Sequence, residues 1–453
     1  MKFSLKLKKR LTKDYRRLKE RIISILKNDS IIYVFICGLL SILYFIEPIH
    51  SFVKDFPFDA KTLISVVIVF FLTSLASLFA NIISAKFEDT TKLTTDYAAL
   101  TKKYEANANM LVHYNLDSEN RKIGRKRTKC SVKTINHADE VIIPVCDVIM
   151  LLGKEIKFQD NPDKKYVAPE FSLKNYHQLI KAHGSSSLYN QLNIRVDDID
   201  DSSEKVLMTF SRTTYFDSLV TNRAIDFKID GLSVRDLYSS GPFIESLKDS
   251  KLSNHLGFNG MVETSDHYFV FIKRNRHVSI GKETMQCSVA ASLKSKRALN
   301  KDGKLEKSKI EQAILKEIEE ELCLQNIKDY ELKKNEIFKD FSFEKNVAYF
   351  YRDLLEGGKP QFMFYAQIQL TADEVKKAFH EEALFPFTHL ETASAVHGAD
   401  GYKILLVHRD DLKKLYLTAD GMVLNKKFYK AMPSAVATVA MMIRLIDEGR
   451  FSK

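Results

Sequence analysis

The sequence predicts a transmembrane hairpin of two helices, joined to an α+β region in which a mixed sheet is flanked by helices. Two apolar runs without charge, 31–46 and 62–85, predict the hairpin. Strand-like and helix-like runs mixed along the rest of the chain predict the α+β region. The chain has 453 residues, of which 45% are hydrophobic and 28% charged, enough for two to three domains. This composition excludes a disordered, collagen-like or disulfide-scaffold protein.

The apolar runs are assigned to transmembrane helices on their length. A span needs about 20 apolar residues, which the second run exceeds, and the first run is extended by neighbouring residues. We therefore predict helices at about 31–47 and 62–85, within a membrane region that covers 31–85. A buried core hairpin is the alternative, but nothing in residues 47–61 would cover it.

The excess of basic residues lies beside these runs. The formal net charge is +11 for the whole chain, and residues 131–453 are formally neutral. Residues 1–30 carry a net +8 and are expected to be either a basic amphipathic segment on the inner leaflet or a solvated topology signal, whereas 86–130 carry a net +4. The positive-inside rule then predicts that both termini are cytoplasmic. The same distribution argues against binding of a nucleic acid polymer by the C-terminal region.

A polar stripe follows one side of the second apolar run at multiples of four residues. It consists of Ser65, Thr73, Ser77 and Asn81. Such a stripe either hydrogen-bonds within its own helix and allows close helix packing, or it lines a polar seam in an oligomer.

Three further regions follow the membrane region. Residues 86–129 are expected to be a helical stalk and linker. A heptad-like spacing that would allow oligomerisation is kept by Leu93, Tyr97, Leu100, Tyr104, Asn107 and Leu111. Residues 130–253 read as an α/β region, with strands expected at 205–211 and 224–229. Five cysteines without CxxC spacing indicate reduced, mostly buried thiols.

The region 254–453 carries the chemistry. A strand is expected at 267–275, a long helix at 306–324, a hairpin formed by 347–355 and 361–370, and two helices near 371–382 and 434–447. In the long helix, Glu317, Glu320 and Glu321 stand at i, i+3 and i+4, which places three carboxylates on one face. They are either a divalent-cation site or the solvated glutamates that a Lys/Glu-rich helix commonly contains.

The stretch KEIEEELCL resembles the second half of the Nudix box, G-x5-E-x7-R-E-U-x-E-E-x-G-U, where U is aliphatic. Glu317, Ile318, Glu320, Glu321 and Leu324 fill their positions. Segments 210–222 and 253–266 also look like parts of the Nudix branch that handles nucleotide sugars. The resemblance implies a Nudix-like mixed sheet over 254–453, with Mg²⁺ held by the glutamates so that water attacks a pyrophosphate.

Several positions depart from the box. Lys316 replaces the arginine, Ser308 the first glutamate, and Cys323 the later glycine, while Asp302 stands at the first glycine position. The Pro-Gly-Gly turn before the box is replaced by QCSVAASL (286–293), and a Val-Ala-Ala run cannot copy glycine conformations. We therefore expect weakened or lost hydrolysis, with the glutamates still helping to bind a phosphate-bearing ligand.

Two predicted spans with a degenerate Nudix domain resemble the 2TM–Nudix effectors of cyclic-oligonucleotide-based antiphage signalling (CBASS). The resemblance implies a homo-oligomer in the bacterial inner membrane. Its cytosolic domain would bind a cyclic nucleotide made by a CD-NTase cyclase and cause the helices to disrupt the lipid bilayer, killing the infected cell. Candidate ligand contacts are Lys273, Arg274, Arg276 and Lys316, which are otherwise ordinary surface cations. The alternative is a membrane-anchored Nudix hydrolase that cleaves nucleoside-diphosphate derivatives with Mg²⁺.

Overall fold

The computed structural model describes most of the chain from residue 92 onward. The described residues are 92–106, 109–116, 119–128, 132–184, 186, 188–202, 204–275, 278–383 and 401–450. The basic segment 1–30, both predicted spans and the polar stripe of Ser65, Thr73, Ser77 and Asn81 lie outside them.

The described residues form seventeen strands and thirteen α-helices. The strands are β1 Leu111–Asn115, β2 Lys133–Ile135, β3 Ala138–Ile143, β4 Val145–Met150, β5 Glu155–Lys165, β6 Leu192–Asp200, β7 Lys205–Thr214, β8 Gly257–Glu263, β9 Tyr268–Arg274, β10 Met285–Gln286, β11 Val289–Ser292, β12 Val347–Asp353, β13 Lys359–Gln367, β14 Gly401–His408, β15 Tyr416–Thr418, β16 Gly421–Leu424 and β17 Lys427–Lys430. The helices are α1 Tyr97–Lys103, α2 Arg121–Arg127, α3 Glu170–Lys174, α4 Tyr176–Lys181, α5 Tyr215–Leu219, α6 Val234–Tyr238, α7 Ser295–Ala298, α8 Lys307–Glu321, α9 Tyr330–Ile337, α10 Phe343–Asn346, α11 Ala372–Ala383, α12 Arg409–Leu412 and α13 Pro433–Asp447.

The predicted fold class needs correction. The structure is an α+β protein with mixed sheets, and none of the helices in its described residues is long and apolar enough to cross a bilayer. The longest described helices, α8 and α13, have 15 residues each, short of the roughly 20 that a span needs. The transmembrane hairpin, and with it the inner-membrane location, is therefore not carried further.

A mixed sheet forms the centre of the fold. Its strands follow the order β10-β9-β8-β13-β12-β4, with β11 also paired to β8 and β14 to β9. The β8–β13 pair is parallel, and the other pairs of this sheet are antiparallel. Because β8 and β13 run in the same direction, the chain between them must cross over the sheet, and α8 belongs to that crossover.

Alternate residues of the central strands pack on opposite faces. Phe258 and Phe362 belong to the core that contains Ile314 and Ile318 of α8. Met261 and Met363 belong to the core on the other face, which contains the buried side of α13. The period of two along each strand thus places the sheet between α8 and α13.

A smaller sheet is formed by β5, β7 and β6 in that order. It belongs to the predicted α/β region 130–253, and β7 forms at Lys205–Thr214, over the run expected to be a strand. The strand expected at 224–229 does not form. Instead a 3₁₀ turn covers Asn222–Ala224. Asp226 accepts hydrogen bonds from the backbone N of Thr94 and from Arg235, and these contacts, not the alternation of apolar and polar residues, set the conformation of the segment.

The predicted stalk also differs from the structure. Helix α1 ends at Lys103, and Leu111 begins strand β1. The buried residues of this segment, among them Tyr97, Leu100 and Tyr104, share one core with Val234 and Leu354 of the same domain. The heptad-like spacing therefore reflects one short helix and the segment after it docking on the domain.

Candidate functional site

The three predicted metal ligands lie at the C-terminal end of α8 and are buried. Glu317, Glu320 and Glu321 are each at most 7% exposed. The helix forms there because Ile310, Ile314 and Ile318 give it one apolar stripe, which packs on the sheet. These glutamates are therefore not the solvated face of a surface helix.

Two cations compensate the carboxylates. Arg297 donates from Nη1 to Glu317 Oε1 and from Nη2 to Glu320 Oε1, both at 2.7 Å. Lys294 donates from Nζ to Glu317 Oε1, also at 2.7 Å. Both cations come from the chain immediately after β11, which pairs with β8 and so leads α7 onto α8. Sequence reasoning missed both residues, because they lie 20 and 23 positions before Glu317.

These ion pairs decide how well the site fits Mg²⁺. Oε1 of Glu317 and Oε1 of Glu320 accept ammonium and guanidinium donors instead, so these two carboxylates as arranged do not fit the ion. Within the described residues, no group of three or more His, Cys, Asp or Glu side chains is arranged to hold a metal. Mg²⁺ binding by Glu317, Glu320 and Glu321 stays a prediction.

The segment expected in place of a glycine turn is an ordinary strand. Val289, Ala290 and Ala291 form part of β11 and pair in register with Gly260, Asn259 and Phe258 of β8. The backbone is extended there, which any residue adopts. The close backbone turn of the Nudix pattern is thus absent from this part of the described chain.

The predicted phosphate contacts are engaged elsewhere. Lys273 lies 3.5 Å from the carboxylate of Glu283, and Arg274 donates to the side chain of Gln286 at 2.7 Å. Lys316 donates to Glu319 on its own helix. Arg276 lies outside the described residues. The described members of this set do not converge on one site.

Glu319 lies between Glu317 and Glu320 in α8 and is held by different cations. Lys316 and Lys334 both donate to its carboxylate, the latter at 2.7 Å. Burial disfavours its charged form, but the two ammonium donors outweigh burial and lower the pKa of Glu319. Glu319 therefore ties α9 to α8 and leaves Glu317 and Glu320 to Lys294 and Arg297.

A buried polar face, not predicted from the sequence, adjoins the glutamates of α8 and their two cations. Asn193 of β6 lies opposite Lys294, and Arg195 lies opposite His255. On the other side of β6, Asn193 faces Thr213 of β7, and Arg195 faces Ser211. Since residues opposite one another share a face and alternate residues repeat it, these six side chains belong to one face, here named the polar face. Its members are Asn193, Arg195, Ser211, Thr213, His255 and Lys294.

The polar face contains unsatisfied hydrogen-bonding groups. Asn193, Ser211 and His255 are fully buried. Among the described residues, the amide N and O of Asn193, Ser211 Oγ and His255 Nδ1 have no hydrogen-bond partner. Arg195 Nε is a fifth such atom. An unsatisfied buried group costs about 1–3 kcal/mol, so a face with five of them is suited to a polar ligand.

His255 is neutral on this face. Its Nε2 lies 3.0 Å from Ser292 Oγ. Burial holds the pKa of His255 well below its ordinary value, and the charges of Lys359 and Arg223 lower it further. A neutral imidazole presents one donor and one acceptor, so His255 can hydrogen-bond a ligand without adding charge.

The polar face joins the two segments that resemble nucleotide-sugar enzymes. Asn222 Oδ1 accepts a hydrogen bond from the backbone N of Asn254 at 3.0 Å, and Thr213 Oγ1 lies 2.8 Å from Ser253 Oγ. Asn222 also donates to the carbonyl of Glu356 at 2.8 Å. Segments 210–222 and 253–266, distant in sequence, are thus held side by side, which their resemblance alone did not specify.

A second set of charges lies beside this junction. Arg223 Nε is 3.6 Å from Glu356 Oε2, and Lys359 donates to Glu356 Oε1 at 3.4 Å. Burial lowers the pKa of Lys359, while Glu356 acts in the opposite direction. Arg223, Lys359, Glu356 and the buried Asp353 thus form one charged set next to His255.

The comparisons with known proteins add no assignment to this geometry. The chain matches no protein-family model, and none of the curated proteins compared with it matches.

Proposed function

We propose that this protein binds a nucleotide on the polar face and does not hydrolyse it. The observation that carries the proposal is the continuity of this face with the glutamates of α8. Lys294 lies opposite Asn193 on one side and donates to Glu317 on the other. A ligand seated on the polar face would therefore lie next to the position at which a Nudix-like domain handles phosphate.

We expect no hydrolysis because two glutamates of α8 are already paired with cations. Metal-assisted attack on a pyrophosphate needs carboxylates that are free to hold the cation. Glu317 and Glu320 instead form ion pairs with Lys294 and Arg297.

A cyclic oligonucleotide of the kind made by a CD-NTase cyclase is the proposed ligand, and the protein is proposed to act as its antiphage effector. The support is the resemblance of residues 316–324 to the Nudix box, together with the buried polar groups of Asn193 and His255 that have no partner among the described residues. Bases present several donors and acceptors on their edges, and unsatisfied amide, hydroxyl and imidazole groups are matched to such edges.

Isothermal titration of the full-length protein with a panel of cyclic di- and trinucleotides tests the proposal. At least one cyclic compound is expected to bind, while its linear counterpart binds at least tenfold more weakly. Asn193→Leu should abolish binding, whereas Asn335→Leu, at an exposed position of α9, should not. A circular dichroism spectrum of each variant checks its fold.

Two results would overturn the proposal. One is the absence of binding by every cyclic compound to the folded wild-type protein. The other is Mg²⁺-dependent cleavage of nucleoside-diphosphate derivatives that is lost in Glu320→Gln, since this result would favour the hydrolase alternative.

A further inference from the structure

A cationic cleft lies between α2 and the β16–β17 hairpin, and the proposed function does not use it. The cleft has a volume of about 580 Å³. Its walls carry five cations, Lys122, Lys126, Arg127, Lys426 and Lys427, together with Ile123 and Phe428. Among the described residues, no acidic side chain lines it. The volume falls within the roughly 300–1,000 Å³ typical of small-molecule sites.

The cations of the cleft are uncompensated within the described structure. Other basic residues of α2 are paired: Arg121 and Arg125 both bind the buried carboxylate of Asp139. By contrast, none of the five cations that line the cleft forms an ion pair with another described residue. Like charges held close together repel, so this arrangement is stabilised when an anion enters.

The walls are held in place by a buried network. Asp139 accepts hydrogen bonds from Arg121, Arg125 and Tyr416, and this charge-assisted set lowers the pKa of Asp139 far below its usual range, with Arg125 the largest contributor. Gly124 packs against Tyr416 so closely that a Cβ would lie 2.1 Å from the ring. Helix α2 is therefore fixed on the hairpin by its inner face, and the lysines of its outer face line the cleft.

The turn of the hairpin is fixed from the same helix. Asn120, at the N-terminal end of α2, accepts a hydrogen bond from the backbone N of Lys426 at 2.9 Å and donates to the carbonyl of Lys414 at 3.1 Å. Lys426 is thereby held in a left-handed conformation, with φ of 62°. Both cationic walls are thus preorganised relative to each other, which reduces the entropy lost on binding.

We propose that this cleft binds a nucleoside polyphosphate. Five cations match three or more phosphate charges, which a monoanion or a zwitterion would leave uncompensated. The half-buried ring of Phe428 offers a stacking surface for a base, and Ile123 extends that surface. The volume of the cleft fits one compact molecule better than a nucleic acid polymer.

Titration of the full-length protein with a fluorescent ATP analogue, in EDTA and at low salt, tests this proposal by anisotropy. Saturable binding with a Kd in the micromolar range is expected. The double variant Lys126→Ala/Arg127→Ala should weaken it at least tenfold, whereas Lys333→Ala/Lys339→Ala, at exposed positions near α9, should leave it within twofold. Phe428→Ala should weaken ATP binding but leave competition by tripolyphosphate unchanged.

The outcomes separate this site from the polar face. Binding that survives Asn193→Leu and is lost in Lys126→Ala/Arg127→Ala belongs to the cleft, whatever the fate of the proposed function. Equal losses in the cleft variant and the Lys333/Lys339 control would overturn the inference. So would tighter binding of a single-stranded 20-mer oligonucleotide than of ATP with the same dependence on Lys126 and Arg127.

Discussion

The guanidinium of Arg297 lies 2.7 Å from Oε1 of Glu317, and this contact changes the meaning of the glutamates on α8. A carboxylate triplet on a helix suggests a metal site, but here a side chain from the preceding crossover neutralises it. With Lys294 on the same oxygen, two cations of the protein offset the charges of Glu317 and Glu320. The arrangement favours ligand binding over metal-assisted hydrolysis.

Removing the two cations should create a metal site. In Lys294→Ala/Arg297→Ala the carboxylates of Glu317 and Glu320 lose their partners, and like charges so close together favour a divalent cation. We expect Mn²⁺ binding, measured by electron paramagnetic resonance, to become at least tenfold tighter than in the wild type. In EDTA the variant should melt at a lower temperature, since unpaired buried carboxylates cost several kcal/mol.

Adding Glu317→Gln to that variant is the matched control, and it should abolish the gain in Mn²⁺ affinity. If the wild-type protein binds Mn²⁺ as tightly as the double variant, the ion pairs do not prevent metal binding by the carboxylates.

The centre of the sheet should be sensitive to the volume at position 260. A Cβ on Gly260 would lie 1.9 Å from Phe364 Cζ, on the neighbouring parallel strand. Gly260→Ala should therefore lower the free energy of unfolding by about 1–3 kcal/mol through overpacking. Urea denaturation measures the change.

Phe364→Leu supplies the space and should reverse part of the loss when it is combined with Gly260→Ala. Two effects that simply add would indicate that the strain lies elsewhere.

His183 should make the protein sensitive to acid. Burial lowers its pKa to about 3, and the charge of Lys92 contributes, with Lys92 Nζ 3.2 Å from His183 Nδ1. Because the folded pKa is below the ordinary 6.5, the stability that depends on the neutral ring is present above pH 6.5. It is lost as the pH falls from about 6.5 toward 3, at about 1.4 kcal/mol per unit.

His183→Gln should flatten the pH dependence of the free energy of unfolding between pH 6.5 and 4, measured by urea denaturation. The exposed His177→Gln is the control and should keep the wild-type slope. A His183→Gln slope equal to that of the control would contradict the assignment.

Asp353 should make the protein less stable as the pH rises, whereas His183 makes it less stable as the pH falls. Burial, followed by the nearby charge of Glu356, raises its pKa to about 7. Its folded pKa exceeds the ordinary value near 4, so the stability tied to the neutral acid is complete below pH 4 and is lost as the pH rises to about 7. Asp353→Asn keeps an acceptor for the backbone N of Leu355, which Asp353 Oδ1 accepts at 2.9 Å.

The Asn variant should therefore gain stability relative to the wild type between pH 5 and 8, as measured by thermal melts. Asp340→Asn, at an exposed site, should show no such gain. Melting curves of Asp353→Asn that track the wild type at every pH would refute the prediction.

Periodicity predicted the elements that carry strong local signals. The helix expected at 306–324 forms at Lys307–Glu321, and the hairpin of β12 and β13 forms close to its predicted limits. Segment 224–229 and the stalk were predicted wrongly, because alternation and heptad spacing also arise where a segment docks irregularly on a core. The polar face escaped prediction because its members come from four separate stretches of the chain.

The sequence by itself determined that helices and mixed strands follow residue 130, and that three glutamates share one face of a helix. Both follow from local side-chain periods of 2 and 3.6 residues. Only the tertiary structure decided which charges meet those glutamates. Lys294 and Arg297 reach them because β11 pairs with β8 and carries α7 onto α8, and strand pairing across a crossover leaves no local pattern in the residues that it brings together.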